Sequence, residues 1–476
     1  MRILIPLIAC LAVVPLAAQD LPFLYPKNET FSRGLDTLRS KGLALTDYHI
    51  HLRGGMTRDK AVLRQQHSGI RSTVLENFGR EWPLTDNAKL ADFLDAQTAA
   101  LPNGQRVPVG IQVNDRDWFT QIDPALRQRL DFVLADTMIM GLTAEGKPRR
   151  LWLPDVQIAD PEAWMLEYLA HNLRLLDEPI SILANPTYLP PCIAGLYDQL
   201  WTQERMRQVI AKAVAKGVAL EIQAASDFPK PAFLKLAKSM GAKFSFGSNN
   251  FDDKAKDVSR WFEAITLLDL RPADLWAAHD FAQWDNEIAA FERADRDHPP
   301  QQDAVLFTGS SGIRMWSTLA RDLPQVPVIN RGFGGSQIVD ATHFAPQLIF
   351  PHRPRAVYLR AGGNDLWQGK TAAQVAADFK EFVTTVHARL PATDIIYISL
   401  CPSIARWQQA PKELAANKLI ADFIKGQPHL RFIDTYDMVL GPDGKPRPEL
   451  FGADQLHFSA AGYQLLANKI RPDLPQ

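Results

Sequence analysis

Cysteine is almost absent from this chain, with three in 476 residues, one of which (Cys10) lies inside an N-terminal apolar run. Cys192 and Cys401 are far apart and belong to no CxxC pair, which excludes a disulfide framework; both are expected in the core. Charge of either sign is also missing in excess. Lys+Arg total 52 against 53 Asp+Glu, a net of −1, so no basic field awaits nucleic acid and no acidic tail is present. Beyond the N-terminus no apolar run reaches the roughly 18 residues that a membrane helix needs. What is present is 46% hydrophobic and 22% charged, the balance of a soluble globular protein, in a chain too long for one ordinary core. Two or three domains are expected.

The N-terminus reads differently from the rest. Arg2 precedes an apolar run over residues 3–14, and Ala17 and Ala18 follow. Charge, apolar run and small residues come in the order of a secretory signal peptide, assigned to residues 1–18. The expected location is therefore outside the cytoplasm, periplasmic or extracellular. Leu7-Ile8-Ala9-Cys10 offers a lipoprotein cleavage box as the less favoured alternative.

From residue 42 to 251 short apolar runs alternate with helical stretches. The runs cover residues 43–51, 72–78, 107–113, 132–140, 180–186, 218–224 and 243–247. Between them lie segments such as 203–216, with Met206, Val209, Ile210, Ala213 and Val214 at helical spacing. Such alternation argues for parallel βαβ units, and seven of them suggest a (β/α) barrel over residues 40–280. A charged stretch with a helix carrying Ile288, Phe291 and Glu292 ends at Pro299-Pro300 and is assigned as a helical linker, 281–303. A second series, with strand runs at 304–307, 326–330, 356–359, 395–400 and 431–433, fills 304–476 and suits a three-layer α/β/α, flavodoxin-like sandwich. Its clearest element is a helix over 371–390. Thr371 caps it, Val375, Phe379, Phe382, Val383 and Val386 form its apolar face, and Pro391 stops it.

Four motifs fall at the ends of strands in this second series. Val305-Leu306-Phe307-Thr308-Gly309-Ser310-Ser311 runs a strand into a small-residue turn. Asn330-Arg331-Gly332-Phe333-Gly334-Gly335-Ser336 offers unobstructed backbone N–H groups, Gly362-Gly363-Asn364-Asp365 offers a side-chain amide, and Asp454-Gln455-Leu456-His457 offers an acid and an imidazole. Each alone is an ordinary turn. Together they supply a nucleophile, a base, a group to orient that base and donors for an oxyanion, the four needs of ester hydrolysis.

As a set these motifs resemble the SGNH (GDSL-type) hydrolase family, over residues 284–472. The resemblance implies that Ser311 attacks the acyl carbon, with His457 as base and Asp454 as its orienter. Gly335 N–H, the Asn364 amide and Ser311 N–H would form the oxyanion hole. Ser310 stands where the family carries Asp and is outside the proton path. No cofactor is required for this chemistry. A small-molecule or glycan ester is the implied substrate, with short acyl groups favoured because no apolar lid is visible. Trp316, Trp367 and Trp407 are candidates to stack on sugar rings.

In the first series Thr46-Asp47-Tyr48-His49-Ile50-His51 closes the first strand run, and His-x-His on a strand puts both imidazoles on one face. With the barrel-like alternation this resembles the PHP family of metal-dependent phosphoesterases. The remaining positions of that family's pattern are lost: Glu76-Asn77-Phe78, Gly110-Ile111-Gln112, Asn185-Pro186 and Ser248-Asn249-Asn250-Phe251 stand where carboxylates and imidazoles belong. Amides bind transition metals poorly, so at most one divalent ion, held by His49 and His51 with Glu76 or Glu221, is expected. Two rival readings stand beside the exported esterase. One is a metal-dependent phosphoesterase with a glycan-binding C-terminal domain; the other is a non-catalytic cell-surface binding protein.

Overall fold

The computed structural model describes residues 21–98, 106–143 and 145–475; the expected signal peptide lies outside the described residues. The first unit is a parallel sheet in the order β2-β1-β10-β9-β8-β5-β4-β3. Its strands are β1 (Thr46–Asp47), β2 (Arg71–Ser72), β3 (Val74–Phe78), β4 (Val109–Val113), β5 (Phe132–Asp136), β8 (Ile182–Ala184), β9 (Ala219–Gln223) and β10 (Phe244–Gly247). A small hairpin of β6 (Ile139–Leu142) and β7 (Pro148–Arg150) projects between β5 and β8. The two ends of the sheet, β2 and β3, are halves of one extended segment interrupted only at Thr73. That residue's N–H donates to Asp47 O, and Leu52 N–H and Leu75 N–H exchange bonds across the seam with Leu75 O and Ile50 O. The ring therefore closes to within one residue, and its staves are the seven runs expected from the sequence. β3, β4, β5 and β9 are buried at every position, as strands covered on both faces must be.

The second unit is a five-stranded parallel sheet in the order β12-β11-β13-β14-β15, built from β11 (Val305–Gly309), β12 (Val328–Gly332), β13 (Ala356–Arg360), β14 (Asp394–Ile398) and β15 (Leu430–Ile433). This is the flavodoxin-like order, whose clefts open where the chain leaves the first strand in opposite directions. Register matters here. Gly309 is level with Gly332 on one side and with Arg360 on the other, so the loops that follow these three strands emerge side by side. The helix Ala372–Arg389 covers one face, capped by Thr371 in a reciprocal box with Gln374, and buries Val375, Phe379, Phe382, Val383 and Val386.

The stretch assigned as a linker is built into this unit. Its helix Asp285–Asp297 ties Asp295 to Arg331 and Glu287 to Arg314 (2.9 Å), and Trp284 packs edge-on to Phe333. Barrel and sandwich touch through polar pairs: Arg127 reaches both carboxylate oxygens of Glu381 (2.6 and 2.8 Å), Gln128 donates to Thr385 (2.6 Å), and His279 meets Asp340 (2.7 Å). Cys401 is buried as expected. Cys192 is not: it sits exposed at the start of a 3-10 turn over Pro191–Leu196, where the chain runs along the barrel rim.

Candidate active site

The segment after β11 bends sharply into a one-turn helix, Ser311–Arg314. Gly309 makes the bend possible. Its φ is +130°, and a Cβ there would lie 2.2 Å from the carbonyl oxygen of Arg360, so only glycine fits beside β13. Ser310 takes the cap position, and Ser311 opens the turn with its hydroxyl free of the strand. That hydroxyl donates to His457 Nε2 at 2.7 Å, while His457 Nδ1 donates to Asp454 Oδ2 at 2.6 Å. Ionised Asp454 can only accept, which fixes the proton on Nδ1 and leaves Nε2 as the acceptor.

The imidazole is held from both sides of its own loop. Gly452 N–H donates to His457 O (2.7 Å), and Asp454 Oδ1 accepts the N–H groups of Leu456 and His457 (3.0 Å each). The His457 hydrogen bond and these backbone N–H groups hold the Asp454 carboxyl down at about 2, so it stays ionised at any pH at which the fold is expected to persist. The following helix, Ala460–Ile470, anchors the loop to the nucleophile: Tyr463 OH donates to Gly312 O (3.1 Å).

Asn364 stands on the turn after β13. Its Nδ2 donates to Ser336 O (3.0 Å), and its Oδ1 accepts from Arg406 (3.0 Å). That arrangement fixes which end of the amide faces where, leaving one Nδ2 hydrogen for another acceptor. Ser336 in turn donates to Gly309 O, tying the glycine loop to the end of β11. Ser311, Asn364 and His457 line one cleft of about 80 Å³. Gly335, with φ +81°, lies on the adjoining loop and is not among the residues that line it.

The cleft also holds groups for which no motif speaks. Arg360 ends β13 and donates to Cys401 Sγ at 3.2 Å; Arg406 stacks over Trp367 at 4.8 Å; Gln409 bridges Gly363 O and Glu413. Arg360 was the one with a sequence signal, a charge at the carboxyl end of an apolar strand. Arg406 and Glu413 come from an irregular loop and from the face of the helix Ala410–Ile424, where nothing in the sequence distinguishes them from surface charge. Of the three tryptophans considered for sugar stacking, Trp316 is excluded. It is buried at 1% exposure, donates to Asp322 (2.8 Å) and stacks on Tyr463. Trp367 and Trp407 are exposed, at 51% and 40%.

Glu413 gives a pH dependence that can be measured. Burial pushes its carboxyl up to about 7, against the Gln409 hydrogen bond and the attraction of Arg360 and Arg406. An unfolded glutamate titrates near about 4.3, so between there and 7 the folded protein keeps a proton that the unfolded chain has released. Stability from this group therefore falls as pH rises through that window. Glu413→Gln removes the titration. It is expected to stabilise the protein by about 3–4 kcal/mol at pH 8 and by almost nothing at pH 4. Calorimetric melting at the two pH values checks this, and a gap that fails to widen with pH counts against it.

The barrel's motif residues meet at the carboxyl ends of its strands, but not as a metal centre. Both ring nitrogens of His49 are taken, Nδ1 by Glu221 (2.6 Å) and Nε2 by Gln112 Oε1 (3.0 Å). Burial disfavours the His49 cation, yet the Glu221 carboxylate outweighs it and raises the pKa, which favours a proton over a metal. Glu76 is engaged by Arg53, and burial lowers His51 to about 3. Among the described residues no three His, Cys, Asp or Glu side chains are placed to share an ion. The donor set of His49 and His51 does not fit the divalent cation that the PHP-like pattern implies.

No curated protein matches the chain. Solved structures with similar folds include a GDSL-like lipase from Bacteroides thetaiotaomicron VPI-5482 (18% identity, 41% of this chain and 96% of that one, TM-score 0.32). Others are a variant of an acetyl-xylooligosaccharide esterase from Geobacillus Stearmophilus (14%, 36% and 94%, 0.31) and a carbohydrate esterase family 3 protein from Talaromyces cellulolyticus (18%, 36% and 94%, 0.29). The family model for GDSL-like Lipase/Acylhydrolase matches residues 302–465. Over that C-terminal region the chain is similar to the GDSL-like lipase/acylhydrolase family.

Proposed function

We propose that the protein is an exported serine esterase that removes short acyl groups, acetyl above all, from hydroxylated substrates such as carbohydrates. The observation that carries this reading is the unbroken hydrogen-bonded chain from Ser311 through His457 to Asp454 at a small cleft. Ser311 Oγ bonds to the acyl carbon as its proton passes to His457 Nε2. Charge collecting on the carbonyl oxygen is met by the Asn364 amide and the N–H groups of Ser311 and Gly335. His457 then gives the proton to the departing alcohol, leaving an acyl-Ser311 ester. Water, deprotonated by the same imidazole, attacks that ester and releases the acid and free Ser311. Asp454 stays ionised throughout and stabilises the imidazolium.

The size of the cleft supports the acyl preference. At about 80 Å³ it lies far below the ~300 Å³ at which pockets begin to enclose drug-sized ligands. Exposed Trp367 and Trp407 support a sugar on the alcohol side. The leader at residues 1–18 supports export, and no helix among the described residues is long and apolar enough to cross a membrane. With p-nitrophenyl esters, kcat/KM for acetate is expected to exceed that for octanoate by at least about 100-fold, since each methylene that cannot be housed costs discrimination. An optimum at eight carbons or beyond would replace this reading with a lipase.

A further inference from the structure

We propose that the mouth of the N-terminal barrel is a binding site for a neutral sugar residue, placed where the PHP-like pattern would put metals. A cavity of about 310 Å³ opens there, large enough for a small ligand. Its polar lining includes four amides, Asn77, Gln112, Gln223 and Asn249, at the carboxyl ends of β3, β4, β9 and β10, beside His51, Arg53, Asp136 and Ser226. Its walls are aromatic, with Trp82, Trp152 and Phe251 among them. Phe251 is 57% exposed and lies parallel to the buried His51 ring, a flat apolar face presented at the rim.

Polar atoms in this lining are left without partners. His51, 1% exposed, has its Nδ1 3.9 Å from Glu76 Oε1, too far for a good hydrogen bond; Arg53 Nε, Trp82 Nε1 and Asn249 Oδ1 are buried with no hydrogen-bond partner. Groups of this kind each cost stability unless a ligand or water satisfies them, and these four belong to residues that line one cavity. Asn249 is also held at φ +47°, a left-handed backbone that asparagine tolerates and that aims its side chain from the turn after β10.

Charge decides the class of ligand. Arg53 is paired with Glu76 and His49 with Glu221, and Asp136 accepts from Asn185 (2.9 Å) and Gln112 (3.2 Å). Among the described residues that line the cavity, the one arginine or lysine, Arg53, is therefore already paired; Arg150, which stacks over Trp82 at 4.6 Å, is not itself in the lining. Amides that both donate and accept, next to aromatic faces, are the complement of hydroxyl groups on a pyranose ring, whose C–H faces are apolar.

The test uses full-length protein and unesterified sugars, so it does not depend on hydrolysis. Xylobiose, cellobiose and N-acetylglucosamine are titrated calorimetrically and by tryptophan fluorescence. At least one is expected to bind saturably, one to one, and equally well to Ser311→Ala. Phe251→Ala, at an exposed position, and Trp82→Phe, which removes the unpaired N–H, are each expected to weaken binding at least about tenfold. Both should leave the melting temperature and p-nitrophenyl acetate turnover unchanged. The proposal is overturned if none of the three sugars binds, or if binding is undiminished in both variants. It is also overturned if glucose 6-phosphate binds more tightly than glucose, or if the barrel takes up one equivalent of zinc or manganese.

Discussion

Ser311→Ala is expected to lower kcat by at least about 10³-fold while the protein still folds, because the variant keeps the oxyanion donors and loses the hydroxyl hydrogen-bonded to His457 Nε2. The neighbouring serine is the control. Ser310 sits at the cap position, but its side chain makes no capping hydrogen bond, and its backbone N–H, which donates to Arg360 O, survives substitution. Ser310→Ala should stay within a few-fold of the parent enzyme. A fluorophosphonate should attach to Ser311 and to no other residue of active protein, which peptide mapping by mass spectrometry reads directly. Label on Ser310, or full activity in Ser311→Ala, would remove the proposed mechanism.

The sequence made the architecture readable where local pattern and global fold agree. Parallel strands covered on both faces must be apolar throughout, so 107–113 and 132–140 stand out from the helices between them. The helix Ala372–Arg389 carries its cap, its apolar face and its stop within its own residues. Part of the candidate site was legible for a related reason: in a sheet of order 2-1-3-4-5, motifs at the ends of adjacent strands must converge, and the level register of Gly309, Gly332 and Arg360 brings the loops of Ser311, Gly335 and Asn364 together, whereas Asp454 and His457 lie well beyond the edge strand β15.

What could not be read depends on contacts between distant segments. Trp316 and Trp407 look alike in sequence; packing on Tyr463 and a bond to Asp322 bury the first, and nothing local announces it. Cys192 follows Pro190-Pro191 on the rim, where an apolar neighbourhood in the chain does not become one in space. The charged helix Asp285–Asp297 reads as a spacer until Arg314, from the turn after β11, and Arg331, from β12, meet its acids. In the barrel, Asn77, Gln112 and Asn249 were visible as separate residues. That they line one cavity was not, because it requires knowing which strand ends face one another.

Asn364→Ala is expected to cost about 10²–10³-fold in kcat, nearly as much as losing a member of the triad. The reason lies in how the amide is held. Arg406 donates to Oδ1 and Ser336 O accepts one Nδ2 hydrogen, so the remaining hydrogen is fixed in direction before substrate arrives. A donor oriented in advance does not reorganise when charge develops, and it gains most when the carbonyl oxygen becomes an oxyanion. The loss should therefore appear in kcat and in kcat/KM to the same extent, with KM for a small ester almost unchanged. Asn364→Asp should be worse than Ala, because an acceptor-only carboxylate would face the forming negative charge. Arg406→Gln, which keeps a donor but removes the cation, should retain most of the activity and separate orientation of the amide from charge in the cleft. Steady-state kinetics on p-nitrophenyl acetate, with melting temperatures for each variant, give the answer. If Asn364→Ala stays within about fivefold of the parent enzyme, the backbone N–H groups of Ser311 and Gly335 carry the oxyanion alone, and Asn364 serves only to tie the turn after β13 to the glycine loop.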